Sequence, residues 1–155
     1  EPLSLRLLYE FFRSKRVDSN AKMITLISST GGGRDVWRRQ ENGRIAGLLC
    51  DMVIVTNEDP YDEDPQVIIN AVAEGVHQTG KKEEEQFWCI LDRRCAITKA
   101  MTLAQPGDIV FLTAKGAEQK MCMDHGKKID WDDRLVAREV LAKFYETGLM
   151  FAKNA

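Results

Sequence analysis

Residues 22 to 28 read KMITLIS and run directly into STGGGRD at 29 to 35, a short apolar stretch that empties into three consecutive glycines. A strand that is nearly continuous in apolar side chains belongs in a sheet covered on both faces, and such sheets are mostly parallel. Three further runs have the same character: MVIVT at 52 to 56, FWCIL at 87 to 91 and DIVFLT at 108 to 113. A weaker run from Gln119 to Met123 is followed by Asp124-His125-Gly126 and then Lys127 to Ile129, which predicts an edge hairpin near 119–129.

Helical patterns separate these runs. The first sets Leu5, Leu8 and Phe12 on one face with Leu7 and Phe11 beside them, and ends in the basic stretch 13–16. The second covers roughly residues 40–50 and is expected to bury Ile45, Leu48 and Leu49. The third opens with Asp64 as N-cap and Pro65 as first helical residue, then turns Val67, Ile68, Ala71 and Val72 inward. The fourth follows Asp92 and stops at Pro106-Gly107. The fifth begins near Asp132 or Asp133, carries Leu135, Val136, Val140 and Phe144, and closes at Gly148. Parallel strands need crossovers, so the alternation predicts an α/β fold with a mainly parallel sheet and helices on both faces.

At 155 residues the chain is the size of one domain, and it shows no internal repeat. A hydrophobic fraction of 44% and a charged fraction of 30% exclude disorder as the main state. No apolar run approaches the roughly 20 residues of a membrane-spanning helix, and the N-terminus has no signal pattern, so a cytoplasmic protein without a membrane partner is expected. With 22 basic and 24 acidic side chains the net charge is -2, which leaves no global field for nucleic acid; a monomer is expected. Cys50, Cys89, Cys95 and Cys122 form no C-x-x-C pair, and His77 and His125 stand at no metal-ligand spacing from them. They read as thiols in or near the core, with no metal site.

In open parallel sheets ligands bind outside the carboxyl ends of the strands, which selects three loops. Residues 28–35 offer glycine N–H groups that can turn toward an anion, and Arg34 can clamp a carboxylate through two parallel hydrogen bonds. Residues 57–65 hold five carboxylates in nine positions, enough for a cation or an ammonium group, although such loops are often simply solvated. In residues 114–118, Gly116 permits close backbone approach and Glu118 can point across at the acidic loop. The charged segment 79–86, TGKKEEEQ, reads as a solvated loop and lacks the upstream glycine of a phosphate-binding loop.

GGGRDVWRR, DMVIVTNEDPYDEDPQVII, DRRCAITKAMTLAQPGDIVFLTAKGAEQ and IDWDDRLVAREVL, in this order and spacing, resemble the C-terminal domain of the Mur ligases, nearest to the members that add the third amino acid of the peptidoglycan stem. The resemblance runs from about Glu1 to Phe144. It implies a Rossmann-like module that presents the incoming amino acid, with residues 1–155 a single domain of a longer ligase. ATP, Mg2+ and the UDP-N-acetylmuramoyl dipeptide would be held mainly by N-terminal and central domains that this chain does not contain, including an Asp-Tyr-Ala-His-like element before the proline matched by Pro2. The full enzyme would phosphorylate the dipeptide's terminal carboxylate, and the incoming amine would attack the acyl phosphate. The isolated chain would carry no catalytic residue and no activity.

The resemblance also implies roles. Arg34 matches the arginine that grips the amino acid's carboxylate, and Glu118 the glutamate that receives one of its amino groups. The specificity motif, Asp-Asn-Pro-Arg in diaminopimelate-adding members, reads Glu58-Asp59-Pro60-Tyr61 here. Ala117 stands where a histidine is common and Ala114 where a glycine is common. With Tyr61 in place of arginine, and Glu58, Asp59 and Glu118 around the far end of the substrate, lysine or ornithine is expected in preference to meso-diaminopimelate, unless Arg38 or Arg39 swings in as a replacement. Two rivals stand beside this reading: another amide ligase of the folylpolyglutamate or cyanophycin synthetase type, and a stand-alone binding or interaction module.

Overall fold

Alternation of side chains along the strands sorts the core into two layers. The computed structural model describes residues 1–16, 18, 20–33 and 35–146. Four strands, β1 (Met23–Ile27), β2 (Met52–Thr56), β3 (Phe87–Ile90) and β4 (Ile109–Leu112), form one parallel sheet in the order β3-β2-β1-β4. Met23, Ile27, Val53, Val55, Phe87 and Phe111 point to one face, where α1 (Pro2–Ser14), α2 (Trp37–Leu49) and α3 (Pro65–His77) cover them. Ile24, Leu26, Ile54 and Trp88 point to the other, under α4 (Arg93–Leu103) and α5 (Asp133–Glu146). The change of face follows from handedness. The chain steps outward from β1 to β2 to β3, then reverses to reach β4, and a right-handed crossover in the reverse direction lays its helix on the opposite side.

The expected hairpin forms from β5 (Lys120–Cys122) and β6 (Lys128–Asp130), antiparallel, around a 3-10 turn at Asp124–Gly126. It is a sheet of its own and does not extend the edge of the main sheet. Asp64 caps α3 by accepting from the Gln66 amide at 2.8 Å, as the sequence led one to expect, and Asp92, after which α4 was expected to begin, caps that helix by accepting from the Cys95 amide at 2.7 Å. Gly148, the expected end of the last helix, lies outside the described residues. Among the described residues no helix is long and apolar enough to cross a membrane.

Several expected inward faces are rotated. On α1, Leu5, Leu8 and Phe12 pack on the sheet with Tyr9, whereas Leu7 and Phe11, roughly half a turn or a third of a turn away, are exposed. Tyr9 was not foreseen. It is fully buried, its ring meets Phe111 edge-on at 5.3 Å, and its hydroxyl shares a 2.6 Å hydrogen bond with Thr25 in the middle of β1. Burial drives its phenol well above the usual tyrosine range. Val67 and Leu135 fall off the faces set by Ile68, Ile69 and Val72 and by Val136 and Val140, and both are exposed. Cys50 is buried and Cys89 half-buried, where loss of solvent and then Glu83 push its thiol up to about 12; Cys95, expected near the core, is exposed.

α2 differs most. It starts at Trp37 rather than near 40, leaves Leu48 exposed, and buries Gly43, Ala46 and Gly47 beside Ile45. Gly43 lets the backbone of α2 touch that of α3, and Gly47 makes room for the Thr79 side chain just beyond that helix. A Cβ on Gly43 would lie 1.9 Å from the Val72 carbonyl oxygen, and one on Gly75 of α3 would lie 1.9 Å from that of Gln40. Neither neighbour is a flexible side chain, so the helices would have to part. Gly43→Ala is expected to destabilise the protein by about 1 to 3 kcal/mol, as overpacking does, and to lower Tm by several degrees in a thermal melt. An unchanged melt would mean that the seam is loose.

Candidate functional site

The order reversal between β1 and β4 separates the loops that leave their carboxyl ends, and a cleft of about 630 Å3 opens there. Residues 28–31 and 112–114 form its mouth. Leu5 and Leu8 of α1 supply an apolar wall, and Asp35, Arg38, Asn42 and Glu58 supply charge and polarity. Arg38 pairs with Asp35 at 3.2 Å and with Glu1.

Of the carboxylates that line this cleft, Glu58 is the buried one. It is only 5% exposed, and its partners are hydroxyls: Ser28 Oγ donates to Oε2 at 2.8 Å and Thr30 donates to Oε1. Among the described residues no cation pairs with it. A carboxylate this far from water ordinarily has one.

The glycine loop does aim its amides at an anion, but the anion is internal. Gly33, with help from Gly32, donates to the carboxylate of Glu63, which Arg39 Nη2 also holds at 2.9 Å. The Gly33 hydrogen bond first, then Arg39 and last Gly32, keep the Glu63 carboxyl below the usual glutamate range against the opposing effect of burial. Gly31 donates to the Asp59 carbonyl at 2.8 Å, and a Cβ on it would sit 2.0 Å from the Pro60 carbonyl oxygen, so a side chain here would push the glycine and acidic loops apart. Arg34 itself lies outside the described residues. The Gly31 and Gly33 amides are thus occupied within the protein, and among the described residues no group of three or more His, Cys, Asp or Glu could hold a metal ion.

The remaining candidates gather on the far side of the acidic loop, toward the hairpin. Asp59 is 8% exposed and holds the buried ammonium of Lys115 at 2.8 and 3.0 Å while accepting from the Cys122 amide at 2.7 Å. Lys115 also donates to Glu118 at 2.7 Å, so Glu118 does meet the acidic loop, through a lysine that sequence reasoning passed over. Burial alone would lower the Lys115 pKa; the hydrogen bonds to Asp59 and Glu118 outweigh it and raise the value. Of the three carboxylates expected around a substrate ammonium, two are thus engaged by the protein's own. Tyr61 has a left-handed backbone (φ 51°), donates its amide to the Cys122 carbonyl at 3.2 Å, and lays its ring 3.6 Å from where a Gly32 Cβ would stand. Gly116 also has positive φ (55°), but nothing of the chain comes within 4 Å of its Cβ position, so it mediates no close approach inside the protein.

Sequence reading also missed Arg93 and Asp133, which it treated as parts of helix starts. Both are buried and joined by two hydrogen bonds of 2.9 and 2.6 Å. The charged pairs DR after β3 and DD before α5 were the available signal.

Two outcomes follow from this geometry. Ala114 has φ of 76°, a conformation that costs a Cβ-bearing residue about 1 to 2 kcal/mol; Ala114→Gly is expected to gain about 1 kcal/mol net and raise Tm by ~2–4 °C. Because the folded Glu63 pKa is depressed, its contribution is present above the unfolded value of about 4.3 and lost as pH falls through the lower folded one. The Gly33 amide resonance should move in that acid window, and Glu63→Gln should abolish the movement.

The Mur ligase, glutamate ligase domain matches residues 1–116. UDP-N-acetylmuramyl-tripeptide synthetase of Roseiflexus sp. (strain RS-1) is 40% identical over 134 residues, which cover 86% of this chain and 26% of that protein. UDP-N-acetylmuramoyl-L-alanyl-D-glutamate--2,6-diaminopimelate ligase of Chlorobium phaeobacteroides is 37% identical over 125 residues, 81% of this chain and 23% of the other. A solved structure of a UDP-N-acetylmuramoyl-L-alanyl-D-glutamate--2,6-diaminopimelate ligase superposes with a TM-score of 0.80 at 28% identity, over 93% of this chain and 28% of that one. The chain spans about a quarter of the length of the curated relatives it matches. On these matches, the chain belongs to the Mur ligases, as their C-terminal, glutamate ligase domain.

Proposed function

We propose that this chain presents the incoming amino acid in an ATP-dependent amide ligase of peptidoglycan precursor synthesis, working in the cytoplasm as part of a longer, monomeric protein on UDP-N-acetylmuramoyl dipeptide. The observation that carries the reading is Glu58: a buried carboxylate, held only by hydroxyls, at the wall of a cleft where the strand order reverses. Such a group takes an ammonium from its ligand. Arg34, next to Gly33 and Asp35 in the glycine loop, would take the α-carboxylate, leaving the α-amine free. The domain's contribution is proximity, holding that amine in line with an activated carboxyl group presented by the preceding domains, where ATP and Mg2+ belong in this reading.

The amino acid is lysine or ornithine rather than meso-diaminopimelate. A second distal carboxylate needs a cation, and the cations near the cleft are engaged: Arg39 by Glu63, Lys115 by Asp59 and Glu118, Arg93 by Asp133. Relatives named for the diaminopimelate reaction favour the other choice, and for it Arg38, which lines the cleft, would have to leave Asp35 and Glu1.

Calorimetric titration of the chain with lysine, ornithine and meso-diaminopimelate separates these choices. Glu58→Gln and Arg34→Ala should each weaken lysine or ornithine binding on the order of tenfold to a hundredfold, the worth of a hydrogen bond between charged groups. Tighter binding of meso-diaminopimelate, abolished by Arg38→Ala, would reverse the substrate assignment. The chain alone should release no phosphate from ATP; substrate-dependent hydrolysis would overturn its placement as a presenting domain.

A further inference from the structure

We infer that the buried Arg93–Asp133 pair positions Glu58 through the hydroxyl of Ser28, an inference that rests on the reading of Glu58 as the ammonium acceptor. Arg93 is the first residue of α4 and is 3% exposed. Its Nε and Nη2 grip both oxygens of Asp133, and Trp131 Nε1 fixes Asp133 from a third direction at 2.8 Å. This planar fork leaves the guanidinium little freedom to turn.

Its other hydrogens go to the three loops that shape the cleft. Nη1 donates to the Asn57 carbonyl after β2 at 3.1 Å and to Ser28 Oγ after β1 at 3.2 Å, and Nη2 donates to the Thr113 carbonyl after β4 at 2.9 Å. Ser28 is the informative contact. A hydroxyl has a single proton, and because Arg93 donates to the oxygen, that proton is directed to Glu58 Oε2. Arg93 thereby sets both the direction of the Ser28 hydroxyl and the orientation of the carboxylate beyond it, without touching the cleft itself. A brace alone would not require charge here, since well-packed apolar side chains hold helices at least as well as a buried ion pair.

The test is a double-mutant cycle on the 155-residue chain with two readouts: the 13C resonance of the Glu58 side-chain carboxyl, and the Kd for lysine by calorimetry. Arg93→Lys and Ser28→Ala should each shift the Glu58 resonance and weaken lysine binding about tenfold, and the double variant should be no worse than the more severe single one. Asp133→Asn keeps the guanidinium but loosens the fork, so it should move both readouts the same way by less, and it serves in place of Arg93→Lys should that variant not fold. Arg94→Lys, at an exposed pair with Glu139, should leave both unchanged. Additive losses, or an unmoved Glu58 resonance in a folded Arg93 or Asp133 variant, overturn the inference. Should no form of the chain bind lysine, the proposed function fails, and the Glu58 resonance still decides whether the relay exists.

Discussion

Desolvation of charge at the carboxyl end of the sheet is the constraint on which the rest of the arrangement depends. Arg39, Glu58, Asp59, Arg93, Lys115 and Asp133 are the charged residues that are buried among those described, and all lie at or beside the three loops. An ion taken out of water costs several kcal/mol unless a partner of opposite sign and further hydrogen bonds compensate. Arg93 and Asp133 compensate each other, Lys115 and Asp59 do likewise, and Arg39 reaches the half-buried Glu63. Each pair ties together two segments distant in sequence, so the loops are fixed relative to one another by the same contacts that make the charges tolerable. Glu58 is the exception, and it faces the cleft.

The two layers beneath serve this arrangement. Tyr9 and the α2–α3 glycine seam bring three helices close on one face, while α4 and α5 on the other start at Arg93 and Asp133, so their first turns deliver the central ion pair to the carboxyl end of the sheet. Packing and electrostatics are joined at those two helix starts.

The fold was legible because its signals are local. Four apolar strands, the Asp64 cap and the proline at the start of α3 can be read one segment at a time, and each lies within a residue or two of its expected place. Helix faces were less legible. In α2 the buried stripe is made of glycine and alanine, which no search for large apolar residues finds, so Leu48 was set inward when it is not. The site loops were legible from the rule on strand ends, but their pairing was not: Lys115 reaches Asp59 across 56 residues and Arg93 reaches Asp133 across 40. Nothing in either local segment says which acid a given base will meet.

The β5–β6 hairpin hydrogen-bonds to the acidic loop at three places: Cys122 amide to Asp59, Tyr61 amide to Cys122, and His125 amide to Asp62. Since it adds no strand to the main sheet, these bonds do much to set its position. Loop and hairpin are therefore one transplantable cassette. A chimaera that imports the 58–62 segment of another Mur ligase without residues 120–125 carries over the letters of that loop but not the backbone that aims them.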